Sequence, residues 1–241
     1  MIILQSYVGT GGTGGMSFAW LIFIGLMILG LIVQANVKAK FRKYSKVPLP
    51  DGLTGKDVAE RMLRDNGITD VSVLCVPGML SDHYNPAKHT VNLSKDVYYG
   101  NSIAAAAVAA HECGHAVQHA RAYVWLKFRS ALVPIVSYSD RIVMWVLLAG
   151  VLLVETFPSL LLFGICLFAL TTLFAFVTLP VEIDASRRAV AWLDTARITT
   201  PETYPMACSA LRSAAYTYVV AALSSLATLL YYIMIYMNRR D

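Results

Sequence analysis

Long uncharged runs alternate with short polar stretches along this chain, and the length of each run decides whether it can cross a bilayer. Residues 16–36 carry no charge, and 21 residues at 1.5 Å rise are enough for the hydrocarbon core. Residues 142–154 alone are too short for a span. Residues 135–139 extend them to spanning length and leave Asp140 and Arg141, read as an interfacial salt bridge, near one end. Glu155-Thr156-Phe157-Pro158 reads as a tight turn, and residues 159–179 as the returning arm. Residues 131–179 are therefore expected to be a transmembrane helical hairpin, and residues 217–237 a final span.

Between the apolar runs the pattern changes period. Residues 37–130 read as a small α+β module. Thr54 with Asp57 three places on resembles a capping box, Val58, Met62 and Leu63 make an apolar stripe, and Asn66-Gly67 supplies a stop. Val71, Val73 and Cys75 alternate with their neighbours, which predicts a strand, and residues 90–93 predict a second, the two forming a hairpin. An Ala-rich helix is expected over residues 102–121. Residues 180–216 are amphiphilic again and read as a helical segment beginning at Pro180. Residues 1–15, uncharged and ending in a run of Gly and Thr, have no basic region and read as a flexible tail.

Composition agrees with the runs. Hydrophobic residues make up 57% of the 241 and charged residues 15%, whereas a soluble domain carries near 25% charged residues. The net charge of +5 lies mostly beside apolar segments, so an anionic membrane surface is the expected partner and nucleic acid is not. Lys38, Lys40, Arg42, Lys43 and Lys46 follow the first run with no acid before Asp51. By the positive-inside rule this puts the tail outside and residue 37 onward in the cytoplasm. Four spans return residues 180–216 to that face but leave Arg239-Arg240 outside, against the rule; the first helix is taken to dominate. Cys75, Cys113, Cys166 and Cys208 form no CxxC pair, which fits a reducing compartment rather than a disulfide framework. The expectation is a mainly α, multi-pass plasma-membrane protein with four transmembrane helices and a small α+β domain facing the cytoplasm.

The informative stretch is His111-Glu112-Cys113-Gly114-His115, an HExxH in a chain with only five His. Residues i and i+4 stack on one helix face, so two imidazoles can reach one zinc ion, and Glu112 between them can take a proton from the zinc-activated water. His119 continues the spacing, but eight residues of helix put it about 12 Å from His111, so it reads as a helix-surface or supporting residue. Glu182, a carboxylate in an apolar and basic stretch just past the hairpin, is the best source of a third ligand. The competing account is a surface salt bridge to Arg187 or Arg188, and Asp184 or His83 would be the ligand if Glu182 were not. Asp184 is expected to orient a ligand His. His83 and Tyr84 read equally as turn residues or as part of the substrate cleft.

These residues also carry a resemblance. Lys43-Tyr44-Ser45-Lys46-Val47-Pro48, Leu80-Ser81-Asp82-His83-Tyr84-Asn85-Pro86, the helix from Ser102 through His119, and Thr178-Leu179-Pro180-Val181-Glu182-Ile183-Asp184-Ala185-Ser186-Arg187-Arg188 resemble the YugP-type neutral zinc metallopeptidases of bacteria. The likeness runs from about residue 17 to 237. It implies a zincin-like, gluzincin-type membrane metalloendopeptidase; protein or peptide substrates are the expected partners, and membrane proteins enter only by analogy with HtpX-type peptidases. It implies one zinc per chain on His111, His115 and Glu182, with Glu112 as the base. The layout is similar to HtpX-type peptidases, in which a Glu after a transmembrane hairpin completes the site. There an Asp follows that Glu by four places, whereas here position 186 is Ser and the Asp is at 184. The rival from another class is a membrane scaffold or sensor with a structural zinc, for which Cys113 is the local fourth-ligand candidate. A metal transporter would need its His on the spans themselves.

Overall fold

The computed structural model describes residues 11–238, with side chains from residue 20. Among these, the element order is α1 (Gly11–Tyr44), α2 (Gly55–Asp65), β1 (Ser72–Val76), β2 (His83–Asn85), β3 (Thr90–Ser94), α3 (Lys95–Tyr98), α4 (Ile103–Ala120), α5 (Val124–Leu152), α6 (Pro158–Thr195) and α7 (Tyr204–Met237). Four helices among the described residues are long and apolar enough to cross a membrane: Trp20–Tyr44, Val124–Leu152, Pro158–Thr195 and Tyr204–Met237. The protein is therefore mostly helical, with one small sheet. Residues 1–10 of the Gly-rich tail lie outside the described residues. The backbone of residues 11–15, expected as tail, forms the first turns of α1, because a nucleated helix adds one hydrogen bond per residue and no Pro stands there to stop it.

Several boundaries differ from those the apolar runs suggest. α5 and α7 begin well before their apolar stretches, and α6 passes through Pro180 rather than starting there. A proline inside a helix costs about 3 kcal/mol. Against that, Val181, Ala185, Ala189 and Leu193 form a stripe at every fourth position that is fully buried, and burying a Val or Leu side chain alone contributes about 1.5–3 kcal/mol. The packing wins, and one continuous helix results.

The chain divides into two compact units. One takes residues up to Ile32, Pro134–Ala175 and Val220 onward; the other takes Val33–Val133 and Phe176–Val219. In the first unit Val143, Leu147, Leu161 and Ile165 form a buried cluster. The arms of the hairpin touch where a Cβ on Gly150 would lie 2.7 Å from Leu161 Cα. Asp140 accepts a hydrogen bond from Thr171 Oγ1 at 2.8 Å instead of the expected salt bridge to Arg141.

In the second unit, Thr54 opens α2 with the capping box its spacing suggests, accepting from the Asp57 amide while Asp57 accepts from the Thr54 amide. Asn66 and Gly67, the latter at φ +71°, close it. The sheet runs β1-β3-β2. β1 pairs parallel to β3, not as the hairpin expected from the two apolar strands; the hairpin is β2–β3. Their burial explains the order: Val91, Asn92, Leu93 and Ser94 of β3 are all buried, whereas β1 is half exposed, so β3 takes the centre. α4 is buried on nearly every side, as an Ala-rich helix must be when other elements crowd it. Its start is fixed by Ser102, whose Oγ accepts from the Ala105 amide at 3.2 Å, and it shares one apolar core with Val58, Met62, Leu93 and Leu193.

Candidate metal centre

α4 presents His111 and His115 one turn apart, with ring centroids 4.8 Å from each other. Glu182, on the part of α6 in the same unit, brings its Oε2 to 3.2 Å from His111 Nε2 and 3.6 Å from His115 Nε2. Three ligand atoms, one from each residue, lie within 4.8 Å of one another. The two helices come this close because position 114 is Gly: a Cβ there would stand 2.6 Å from the Ala185 carbonyl oxygen. Glu182 thus meets the imidazoles, while the salt bridge that competed for it goes to Asp184, which binds Arg188 Nε at 2.6 Å.

The other ring nitrogens are held. His111 Nδ1 lies 3.2 Å from Ser186 Oγ, and His115 Nδ1 lies 3.1 Å from Gln118 Oε1. Each oxygen can accept the Nδ1 proton, fixing the tautomer that leaves the Nε2 lone pairs aimed at the shared point, the usual arrangement behind a metal-ligating His. Gln118 is itself fully buried and donates to both Val181 O and Asp184 Oδ2 at 2.8 Å. Asp184 therefore acts on His115 through Gln118, not by direct contact. Ser186 fills the place, four residues after Glu182, at which the resemblance leads one to look for an Asp.

The electrostatics suit a cation. Burial opposes charge on His115, yet the Glu182 carboxylate it faces, the nearby Glu112 and Gln118 together hold its pKa above the ordinary imidazole value. A pocket that draws a proton onto a buried imidazole is one that accepts positive charge. Two imidazoles and a carboxylate are the donor types zinc takes, and a zinc held by these three would keep a position open.

Glu112 follows His111 on α4, and its Oε2 accepts a hydrogen bond from the Tyr84 amide of β2 at 3.1 Å. It lines an open cleft of about 840 Å³ together with His111, His115, Glu182, Tyr84 and Tyr218. Tyr218, on α7, also interacts with the Glu182 and Glu112 carboxylates. His119 reaches Tyr84 Oη at 3.0 Å through Nδ1, a supporting contact on the cleft wall. His83 also borders the cleft, but its ring is engaged by Ser81 O and Asn92, away from the triad. Cys113 points the other way: it is fully buried, and its Sγ donates to Ala59 O of α2 at 3.5 Å, so it is not a fourth ligand. Gln118, Ser186 and Tyr218 escape a motif search. The only signals are a Gln three places after the second His and a hydroxyl four places after the Glu.

Comparison with known proteins agrees with this chemistry. Residues 19–237 match the protein family described as "Putative neutral zinc metallopeptidase". The chain is 42% identical over 222 residues to "Putative membrane protease YugP" of Bacillus subtilis (strain 168), covering 91% of this chain and 98% of that one. No solved structure matches the chain significantly.

Proposed function

The chain belongs to this family of neutral zinc metallopeptidases, and we propose that it is a zincin-like membrane endopeptidase that hydrolyses peptide bonds in proteins or peptides. Its zinc would be held by His111, His115 and Glu182. The observation that carries this is the convergence of those three donors within 4.8 Å, beside a carboxylate that opens to a cleft. When bound, zinc supplies a Lewis acid that makes water nucleophilic at neutral pH and polarises the scissile carbonyl.

The chain's own residues do the rest. Glu112 takes a proton from the attacking water as oxygen bonds to the carbonyl carbon. It then delivers that proton to the amide nitrogen as the C–N bond breaks. The Tyr84 amide fixes one carboxylate oxygen and so orients the other for this transfer. Tyr218 offers its hydroxyl to the carbonyl oxygen as that oxygen gains charge. The basic cluster from Lys38 to Lys46 supports a cytoplasmic site on a plasma-membrane protein.

The test is zinc content and peptide hydrolysis on the detergent-purified full chain. Wild type is expected to hold one zinc and to cleave. Glu182→Ala is expected to lose most of its zinc at equal folding. Glu112→Gln is expected to keep its zinc while hydrolysis falls about 10²-fold or more. Full hydrolysis by zinc-bearing Glu112→Gln would remove Glu112 as the base, and undiminished zinc in Glu182→Ala would remove Glu182 as a ligand.

A further inference from the structure

Asp70, His89, His119 and Tyr84 form a chain of polar contacts outside the His111–His115–Glu182 triad. His89 Nδ1 lies 2.7 Å from Asp70 Oδ2, and His119 Nδ1 lies 3.0 Å from Tyr84 Oη. Each oxygen can accept an Nδ1 proton, which leaves the Nε2 lone pair of each ring available to a cation. Ser186 and Gln118 hold the Nδ1 atoms of His111 and His115 in the same way.

The two rings also stand as a ligand pair stands. Their centroids are 5.5 Å apart with the planes at 79°, against 4.8 Å and 82° for His111 and His115. A tetrahedral zinc about 2.0–2.1 Å from one nitrogen of each ring sets the centroids roughly 5 Å apart. The Asp70 carboxyl is held below its ordinary value, first by the hydrogen bond from His89 and also by His119 nearby, so the carboxylate adds its negative charge beside both imidazoles. Separate elements build this pair. His119 lies in the last turn of α4, and His89 in the turn between β2 and β3, where Asn85 Oδ1 accepts from the Ala87 and Lys88 amides at 3.0 Å. The His89 carbonyl accepts from the Ser72 amide at 3.0 Å, which ties the Asp70 segment to that turn. The Asp70–His89 pair is solvent-exposed, where an ion pair contributes about 0–1 kcal/mol, so stability does not account for it. Among the described residues, only His111, His115 and Glu182 bring three donors within 4.8 Å of one another. His89 and His119 supply two, with water to complete the coordination.

We propose that His89 and His119 form a second, weaker site for an imidazole-seeking divalent ion of the zinc class, and that filling it slows the peptidase. The slowing rests on the peptidase reading above. His119 borders the cleft that Glu112 lines, and Tyr84 meets His119 through its hydroxyl and Glu112 through its amide. An ion here adds charge to the cleft wall and pulls on the residue that aims Glu112.

The detergent-purified full chain is alkylated with iodoacetamide so that exposed Cys75 cannot compete. It is then equilibrated with zinc at rising free concentrations set by a chelator buffer, and bound zinc is read by elemental analysis. Wild type is expected to hold one zinc at low free zinc and two at high. His89→Ala and His119→Ala are each expected to keep the first and lose the second, the retained zinc showing that the fold and the triad are intact. Asp70→Ala keeps both ligands but removes the acceptor behind His89, and is expected to need about 10–100-fold more free zinc to fill the second site. Hydrolysis by wild type is expected to fall over the range in which the second zinc binds, and hydrolysis by His89→Ala to stay constant there.

No second zinc in wild type, or a second zinc that persists in both His variants, would overturn the site. Slowing that persists in His89→Ala would trace to the first centre and overturn the regulation. If nothing is cleaved while the second zinc and its loss in the variants are intact, the site stands and the regulation falls with the peptidase reading.

Discussion

Gln118 shows how a residue that touches no substrate can decide whether a site works. Its side chain is fully buried and has one carbonyl oxygen to give, which it gives to His115 Nδ1 at 3.1 Å, while its amide is spent on Val181 O and Asp184. Gln118→Leu keeps the volume but leaves His115 without its acceptor. Zinc affinity, measured by chelator competition, is expected to fall about 10–100-fold, with Gln118→Glu restoring most of it. An unchanged affinity in the Leu variant would make Gln118 a packing residue only. The pairing of His111 with His115 was legible because helix geometry dictates their spacing, and Glu182 stood out as a carboxylate in an apolar and basic stretch. Gln118, Ser186 and the Tyr84 amide were not legible, because they reach the site from positions any polar or backbone group can occupy. Cys113 belongs to the same lesson in reverse. It sits inside the motif yet faces α2, and burial pushes its thiol up, well above the ordinary value. A raised thiol stays protonated and inert at any pH the protein tolerates. Alkylation with iodoacetamide at pH 8 is therefore expected to modify exposed Cys75 and to spare Cys113 until the protein unfolds.

The site is made by two elements crossing, and the crossing depends on one missing side chain. Gly114→Ala puts a Cβ 2.6 Å from the Ala185 carbonyl oxygen, so α4 and α6 must part locally and carry Glu182 away from the imidazoles. Helix propensity alone would favour Ala by about 1 kcal/mol. A stable, helical variant with reduced zinc content is the expected outcome, and full zinc content would mean the crossing has slack. α2 offers an element where sequence and structure agree, because a capping box is a local interaction that needs nothing from the rest of the fold. Thr54→Ala is expected to cost about 1 kcal/mol, read as faster hydrogen exchange in α2. The Asp57 carboxyl is held below its ordinary value by the Thr54 hydroxyl and amide. A lowered folded-state pKa stabilises above the unfolded value and is lost as pH falls through the folded one. The cap's contribution should therefore be intact at pH 6 and fade as pH drops below about 4. The sheet order was not legible: β1 and β3 both read as strands, but which becomes central is decided by burial against α4, a long-range fact that alternation along one strand does not carry.

At the scale of the whole chain, charge has to decide what length and hydropathy leave open. Four crossings, one for each helix of spanning length among the described residues, would put both ends on one side of the bilayer. Five Lys and Arg between residues 38 and 46 favour keeping the unit that carries His111, His115 and Glu182 inside, whereas Arg239-Arg240 favour keeping the C-terminus there, and with four crossings the two demands cannot both be met. The larger cluster lies directly after the first apolar run and meets no acid before Asp51, so it is expected to prevail. Exposed Cys75, on β1 of that unit, reports the outcome. In intact cells a membrane-impermeant maleimide is expected to leave Cys75 unlabelled, and in permeabilised cells to label it. An epitope tag after Asp241 is expected to be reached from outside without permeabilisation. Labelling of Cys75 in intact cells, with a protected tag, would invert the protein and place the candidate metal centre on the outer face. There the free cysteines would meet an oxidising environment, which nothing in their spacing prepares them for.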